Sequence, residues 1–282
     1  MNFFKSRFKQ LDRHPLAIRF SLFTIALLLL WVPFALPIYR FVPDPNWVSI
    51  LSMGILYLEF LVLLKIWGRY VYRQSLFQRY GLIFFQKNGR DWLFGLSLGL
   101  VSLFSLLSLE FVLGWLAWQP PASNFPRIAV EGFAVAVGIG FAEELLFRGW
   151  LLDELQRDYR SDTATWVNAL LFAAVHFIKP WQEMLRSLPA FPGLFLLGLA
   201  LVWAKKTGQR RLGLPMGLHS GLVWGYYLMN VGQLMEYRDA VPVWVTGIDA
   251  NPLAGMMGMV WLSAIALGMK YMAKKTQKSL AE

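Results

Sequence analysis

Leu22-Phe23-Thr24-Ile25-Ala26-Leu27-Leu28-Leu29-Leu30-Trp31 is the centre of an apolar block over residues 19–39 that carries no charged side chain after Arg19. Inside hydrocarbon, every backbone N–H and C=O must be satisfied within the segment itself, so a long Leu-rich run of this kind reads as a helix. A helix needs roughly 20 residues to cross an apolar layer about 30 Å thick. Blocks of comparable length recur at 47–67, 92–118, 128–152, 163–178, 188–204, 214–231 and 253–273. They lack the ten-residue alternation of membrane barrel strands. The fold expected is all-α: a polytopic membrane bundle of about eight transmembrane helices.

Composition agrees. The 282 residues are 57% hydrophobic and only 16% charged, with a mean hydropathy of +0.47, well outside the soluble globular range. There is no cysteine, which excludes thiolate chemistry, disulfides and lipidation of the chain itself. The net charge of +10 sits beside the apolar blocks, where anionic headgroups of the lipid bilayer are the natural partner and nucleic acid is not.

The basic residues also give an orientation. Lys5, Arg7, Lys9, Arg13 and Arg19 precede or open the first span, and Lys65, Arg69, Arg73, Arg79, Lys87 and Arg90 fill the loop after the second. Arg157 and Arg160 follow the fourth span, Lys205, Lys206, Arg210 and Arg211 the sixth, and Lys270, Lys274, Lys275 and Lys278 the last. The opposite ends hold Arg40, Arg127, Lys179, Arg186 and Arg238. This bias predicts a multi-pass protein with an even number of spans and both termini cytoplasmic. The first span reads as a retained anchor because no small-residue cleavage pattern follows it. The basic stretch 71–90, with Tyr72, Leu76, Phe77, Tyr80 and Leu82, is expected to lie along the interface. No repeat is visible, and one membrane domain is expected in three sections: 1–127, a core over 128–231, and 232–282.

Ionisable groups at membrane depth are costly and therefore functional candidates. The fourth span contains Glu143-Glu144-Leu145-Leu146-Phe147-Arg148, the fifth Asn168, Phe172 and His176, and the seventh His219. Glu144 and Arg148 are four apart and can pair along one helix face. Glu143 lies about 100° around the helix and is left without that partner. Asn168, Phe172 and His176 share one stripe. Two membrane histidines and one unpaired carboxylate match the composition of a two-His, one-carboxylate zinc site with an open water position. The candidate catalytic set is Glu143, His176, His219, Glu144 and Arg148, and the candidate metal ligands, for zinc or another divalent metal, are Glu143, His176 and His219. Glu59 and Glu110 read as partly exposed or helix-pairing groups.

Other patterns drop out. No His-Glu-x-x-His occurs, which excludes the soluble zincin arrangement. Gly95-Leu96-Ser97-Leu98-Gly99 imitates a serine-hydrolase elbow, but it sits mid-span, where small residues four apart serve helix packing.

These residues carry a resemblance. Glu143-Glu144-Leu145-Leu146-Phe147-Arg148, Phe172-Ala173-Ala174-Val175-His176 and Gly217-Leu218-His219 are similar, in that order, to the motifs of the CPBP family of intramembrane proteases, which contains the type II CAAX prenyl endopeptidases and bacteriocin-processing relatives. The resemblance covers residues 128–230 and implies eight helices around a cavity open to the cytoplasmic side. It also implies cleavage of a peptide bond in a membrane-associated protein or peptide, with Glu143 activating water, His176 helping it, and His219 binding a metal or the oxyanion. The third motif normally has Asn or Asp four residues after its His; here that position is Val223. The departure supports an alternative: a non-catalytic member giving immunity to a peptide toxin or assisting a membrane complex.

Overall fold

The computed structural model describes residues 11–82, 86–238 and 240–281. Lys5, Arg7 and Lys9 of the expected basic tail lie outside the described residues, as do positions 83–85 of the expected interfacial stretch.

In chain order the helices are α1 (Leu16–Phe41), α2 (Pro45–Trp67), α3 (Leu76–Arg79), α4 (Gln86–Val112), α5 (Phe125–Glu144), α6 (Leu152–Asp158), α7 (Ser161–Val175), α8 (Trp181–Ser187), α9 (Phe191–Thr207), α10 (Gly213–Asn230), α11 (Val243–Thr246) and α12 (Met256–Ala281). The protein is an all-α polytopic bundle. Five segments are long and apolar enough to cross a membrane on length and composition alone: Leu16–Phe41, Pro45–Tyr72, Gln86–Val112, Trp181–Thr207 and Met256–Leu280. The remaining three expected spans correspond to α5, α7 and α10. These carry the polar motif residues or are short, α7 having 15 residues and α10 having 18.

One expected boundary is corrected. The third span stops at Val112, and Leu116–Trp118 is a short strand, β1, paired antiparallel with β2 (Met235–Tyr237). Gly114, at φ 76°, makes the turn that ends the helix. The stretch 71–90 has local structure of its own. Gly68–Tyr72 is a π-helical turn, α3 is four residues long, and Leu76 and Tyr80 are buried in protein.

The described chain packs as two units. The first contains residues up to Tyr80 together with Glu154–Asp158. Within it, Asp44 caps α2 by accepting from the Asn46 and Trp47 amides, with Pro45 opening the helix. Pro15 cannot cap α1 in this way, and Asp158 accepts from Leu16 N–H instead. Arg19, assigned in the sequence to the basic flank, is buried and binds Glu154 at 2.9 Å and Asp158 at 3.0 Å. Arg157 stacks 3.6 Å over Tyr72, whose hydroxyl donates to Glu154.

The second unit comprises Gly81–Asp153 and Tyr159–Glu282. Its centre is the contact of α4 with α10, which run parallel at backbone distance. A Cβ on Gly95 would fall 2.4 Å from Leu214 O, one on Gly99 2.6 Å from Leu218 O, and one on Gly217 2.0 Å from Trp92 O. The Gly95-x-Ser-x-Gly99 pattern is therefore a helix-packing surface, as its mid-span position implied. Glu110, near the end of α4, is not partly exposed as expected. It is fully buried and accepts a hydrogen bond from Tyr237 of β2 at 2.9 Å.

Candidate active site

Three helices of the second unit bring the motif residues together. Glu143 and Glu144 end α5, His176 follows the last turn of α7, and His219 lies in the first half of α10. Glu143 Oε2 stands 3.9 Å from His176 Nε2 and 4.0 Å from His219 Nε2. That oxygen is buried and accepts no hydrogen bond from any described residue.

The other ring nitrogens are engaged. His176 Nδ1 lies 2.7 Å from Phe172 O, and His219 Nδ1 lies 2.9 Å from Glu144 Oε1. A carbonyl and a carboxylate can only accept, so both Nδ1 atoms donate and both Nε2 atoms face Glu143, each offering a lone pair when its ring is neutral. Three acceptors thus converge on one point. Such a point suits something that donates hydrogen bonds or carries positive charge.

The donor chemistry fits a zinc-class cation, because each imidazole has its second nitrogen fixed by a partner, as metal-binding histidines do. The spacing is intermediate. Zinc–ligand distances of about 2.0–2.2 Å in a tetrahedron set neighbouring donors about 3.4 Å apart, whereas a hydrogen-bonded water would hold them about 4.6 Å apart. The observed 3.9 and 4.0 Å lie between the two. Among the described residues, no group of three His, Asp or Glu has metal-binding spacing as placed.

Glu144 does not face the cavity. It is fully buried, and its Oε1 accepts from Arg148 Nη1 at 2.9 Å as well as from His219. Arg148, also fully buried, donates to Gly198 O at 3.2 Å and lies 4.2 Å over the Phe172 ring. Phe172 in turn packs edge-on against His176, with centroids 4.8 Å apart, and against His219 at 6.0 Å. One aromatic ring therefore braces both imidazoles and the guanidinium.

No motif or spacing pointed to the backbone behind this arrangement. Leu145–Leu151 is π-helical, a widened turn common at functional sites. Carbonyls loosened from the helical ladder are taken by side chains: Asn168 Nδ2 donates to Phe147 O at 2.8 Å, and Lys205 Nζ donates to Arg148 O. Asn168 shares the helix of His176 but serves this turn rather than the cavity. Lys205, assigned in the sequence to a basic loop, is buried. Its signal was faint: it continues an uninterrupted apolar run.

Glu143, His176 and His219 line a cavity of about 320 Å³. Its remaining walls are mainly apolar, with Leu103 and Leu106 of α4, Leu194 and Leu197 of α9, and Trp261 and Ile265 of α12. These positions lie in the halves of their helices next to β1, β2 and the 247–255 segment. The Lys205, Lys206, Arg210 and Arg211 end lies at the opposite helix termini. Val223, one turn beyond His219, contributes an aliphatic wall.

Fold and site together define an integral membrane protein with a Glu-His-His cluster walled by apolar helices. Residues 125–225 match the family model described as type II CAAX prenyl endopeptidase Rce1-like, a protease family. The matched segment holds all three motifs and supports their resemblance to the CPBP family. The comparison with curated proteins found no match, and neither did that with solved structures.

Proposed function

We propose that this protein is an intramembrane peptidase that hydrolyses a peptide bond in a membrane-associated protein or peptide. The observation that carries the reading is the convergence of the unpartnered Glu143 Oε2 with two imidazole Nε2 atoms on one wall of an apolar cavity. A water held by these acceptors is oriented with its protons toward them and its lone pair toward the substrate. Glu143 accepts a proton as the water oxygen bonds to the scissile carbonyl carbon. The same carboxylic acid then returns the proton to the departing amide nitrogen as the C–N bond breaks, giving a carboxylic acid and an amine, between which the remaining water proton passes to leave a carboxylate and an ammonium. His176 and His219 hold the attacking oxygen in place, and Glu144 fixes the ring of His219 through its Nδ1 hydrogen bond.

A divalent cation would be held by His176 Nε2, His219 Nε2 and Glu143, and when bound it supplies Lewis-acid polarisation of the carbonyl and a more acidic water. The chain's own residues do the positioning in either case.

The alternative is a non-catalytic CPBP-like protein, conferring immunity to a peptide toxin or assisting a membrane complex. Val223 favours it, since an aliphatic side chain stands where the motif normally offers a hydrogen-bonding one. Loss of one oxyanion donor typically costs about 10² to 10³ in rate, which slows an enzyme without stopping it. Purified protein in detergent, given a fluorescence-quenched farnesylated peptide ending in a CAAX sequence and its unprenylated counterpart, separates the two readings. Cleavage of either peptide that disappears in Glu143→Gln supports the peptidase. Cleavage equal in wild type and Glu143→Gln overturns it, and no cleavage of either peptide favours the non-catalytic reading.

A further inference from the structure

The cavity walls offer few hydrogen-bond donors, and a bound peptide needs them. An extended apolar peptide brings backbone carbonyls into a space where leaving any of them without a donor is strongly unfavourable. Apart from the Glu-His-His cluster, no charged side chain lines this cavity. Of the polar groups that do, Ser102 Oγ already donates to Gly99 O at 2.9 Å, and the Tyr226 hydroxyl accepts from Asn230 Nδ2 at 3.1 Å, which holds it beside Asn230 on α10. Asn251 is different. Its side-chain oxygen accepts from Leu253 N–H at 3.0 Å. An amide N–H can only donate, so the orientation of the Asn251 amide is fixed, and Nδ2 is the end left over. It has no acceptor among the described residues.

The segment that carries Asn251 is held from several sides. Asp249 and Ala250 adopt left-handed backbone conformations, at φ 57° and 56°, which is unfavourable for side-chain-bearing residues. Arg186 grips both Asp249 oxygens, at 2.8 and 2.6 Å, in a two-point ion pair. Beyond Asn251 the backbone packs directly on glycines: a Cβ on Gly193 would fall 2.3 Å from Leu253 O, and one on Gly258 1.8 Å from Pro252 O. Asn251 thus stands on a fixed segment, with two amide protons unspent and its flanking residues Pro252 and Leu253 in the same cavity wall.

We propose that Asn251 is a substrate-binding residue whose Nδ2 donates to a backbone carbonyl of a peptide lying in the cavity, a donor supplied by the 247–255 segment where α10 offers Val223. This rests on the peptidase reading for the identity of the ligand as a peptide.

The test uses full-length protein carrying Glu143→Gln in detergent micelles, titrated with a fluorescein-labelled farnesylated peptide ending in Cys-Val-Ile-Met and followed by fluorescence anisotropy. Asn251 also caps the short turn at Pro252–Ala254, so the variants must separate the two roles. Asn251→Asp and Asn251→Ser keep an acceptor for Leu253 N–H but lose the amide donors, whereas Asn251→Ala loses both. The expectation is about tenfold weaker binding in Asn251→Asp and Asn251→Ala, the usual scale for one lost hydrogen bond to a ligand, with the unfolding temperature of the Asp and Ser variants unchanged. Parental affinity in Asn251→Asp overturns the proposal, since a serine hydroxyl keeps one donor and the aspartate keeps none. So does weakening confined to Asn251→Ala and accompanied by a lower unfolding temperature, or absence of binding by the parent. A parent that binds the peptide while the wild type leaves it uncut would sink the peptidase reading and leave the assignment of Asn251 standing.

Discussion

His219 Nδ1 donates to Glu144 Oε1 at 2.9 Å, and the same carboxylate takes Arg148 Nη1 at 2.9 Å. The first of the two adjacent glutamates faces the cavity, and the second sets the ring of a histidine that also faces it. In the proposed peptidase Glu144 acts through His219, as a positioning residue. Glu144→Gln is expected to lower kcat about 10- to 100-fold, the range for a lost orienting partner, with KM little changed. Kinetics resolved into kcat and KM check this, and a change confined to KM would assign Glu144 another role.

Arg148 is fully buried, and Glu144 is its ion-pair partner. Replacing Glu144 by Ala leaves that charge uncompensated, which costs about 3–5 kcal/mol of stability. The double variant Glu144→Ala with Arg148→Met removes both charges and should recover most of this loss. Denaturant titration in micelles measures both variants; a double variant as unstable as the single one would contradict the account.

Glu143 has no hydrogen-bond partner on its cavity-facing oxygen, so the amide of Gln fits without breaking a structural contact. Glu143→Gln should reduce cleavage by about 10² to 10⁴, the usual contribution of a general base, while the unfolding temperature stays that of wild type.

If a cation completes the cluster, purified protein should contain zinc or another divalent metal near one per chain, and His176→Ala should lose it. Elemental analysis by mass spectrometry reads this directly. Activity that survives exhaustive chelation would assign the water-activating role to Glu143 and the two histidines alone.

Overpacking at the α4–α10 contact should be expensive. A Cβ on Gly217 would fall 2.0 Å from Trp92 O, a backbone atom that cannot move alone. Gly217→Ala is expected to cost about 1–3 kcal/mol. Gly54→Ala, where nothing lies within 4 Å of the added atom, should leave stability unchanged.

Asp249 has its carboxyl held below the usual carboxylate range, chiefly by the hydrogen bonds from Arg186. A lowered carboxyl favours the ionised, paired form. The contribution of this pair is therefore complete above the ordinary carboxyl value of about 4 and disappears only as pH falls through the lower value of the folded protein. Protection factors for amide exchange in residues 247–255, taken relative to the intrinsic rate at each pH, should be equal at pH 5 and pH 7, and Arg186→Met should lower them at both.

The amino-acid sequence by itself determined the helices and the identity of the polar residues among them. Apolar runs long enough to satisfy their own backbone leave lipid few alternatives to a helix, and the i, i+4 spacing of Glu144 and Arg148 made their pairing a matter of helix geometry. The same local rule separated Glu143 from that pair. Only the tertiary structure decided that His219 leans on Glu144, that Lys205 and Asn168 stabilise a widened turn at Leu145–Leu151, that Glu110 is buried under Tyr237, and that Asn251 enters the cavity wall from a loop far along the chain. The reason is physical. Spacing along a helix fixes which side chains share a face, but distance across helices depends on where glycines let two backbones approach, and on which carbonyls a bent turn releases to distant donors.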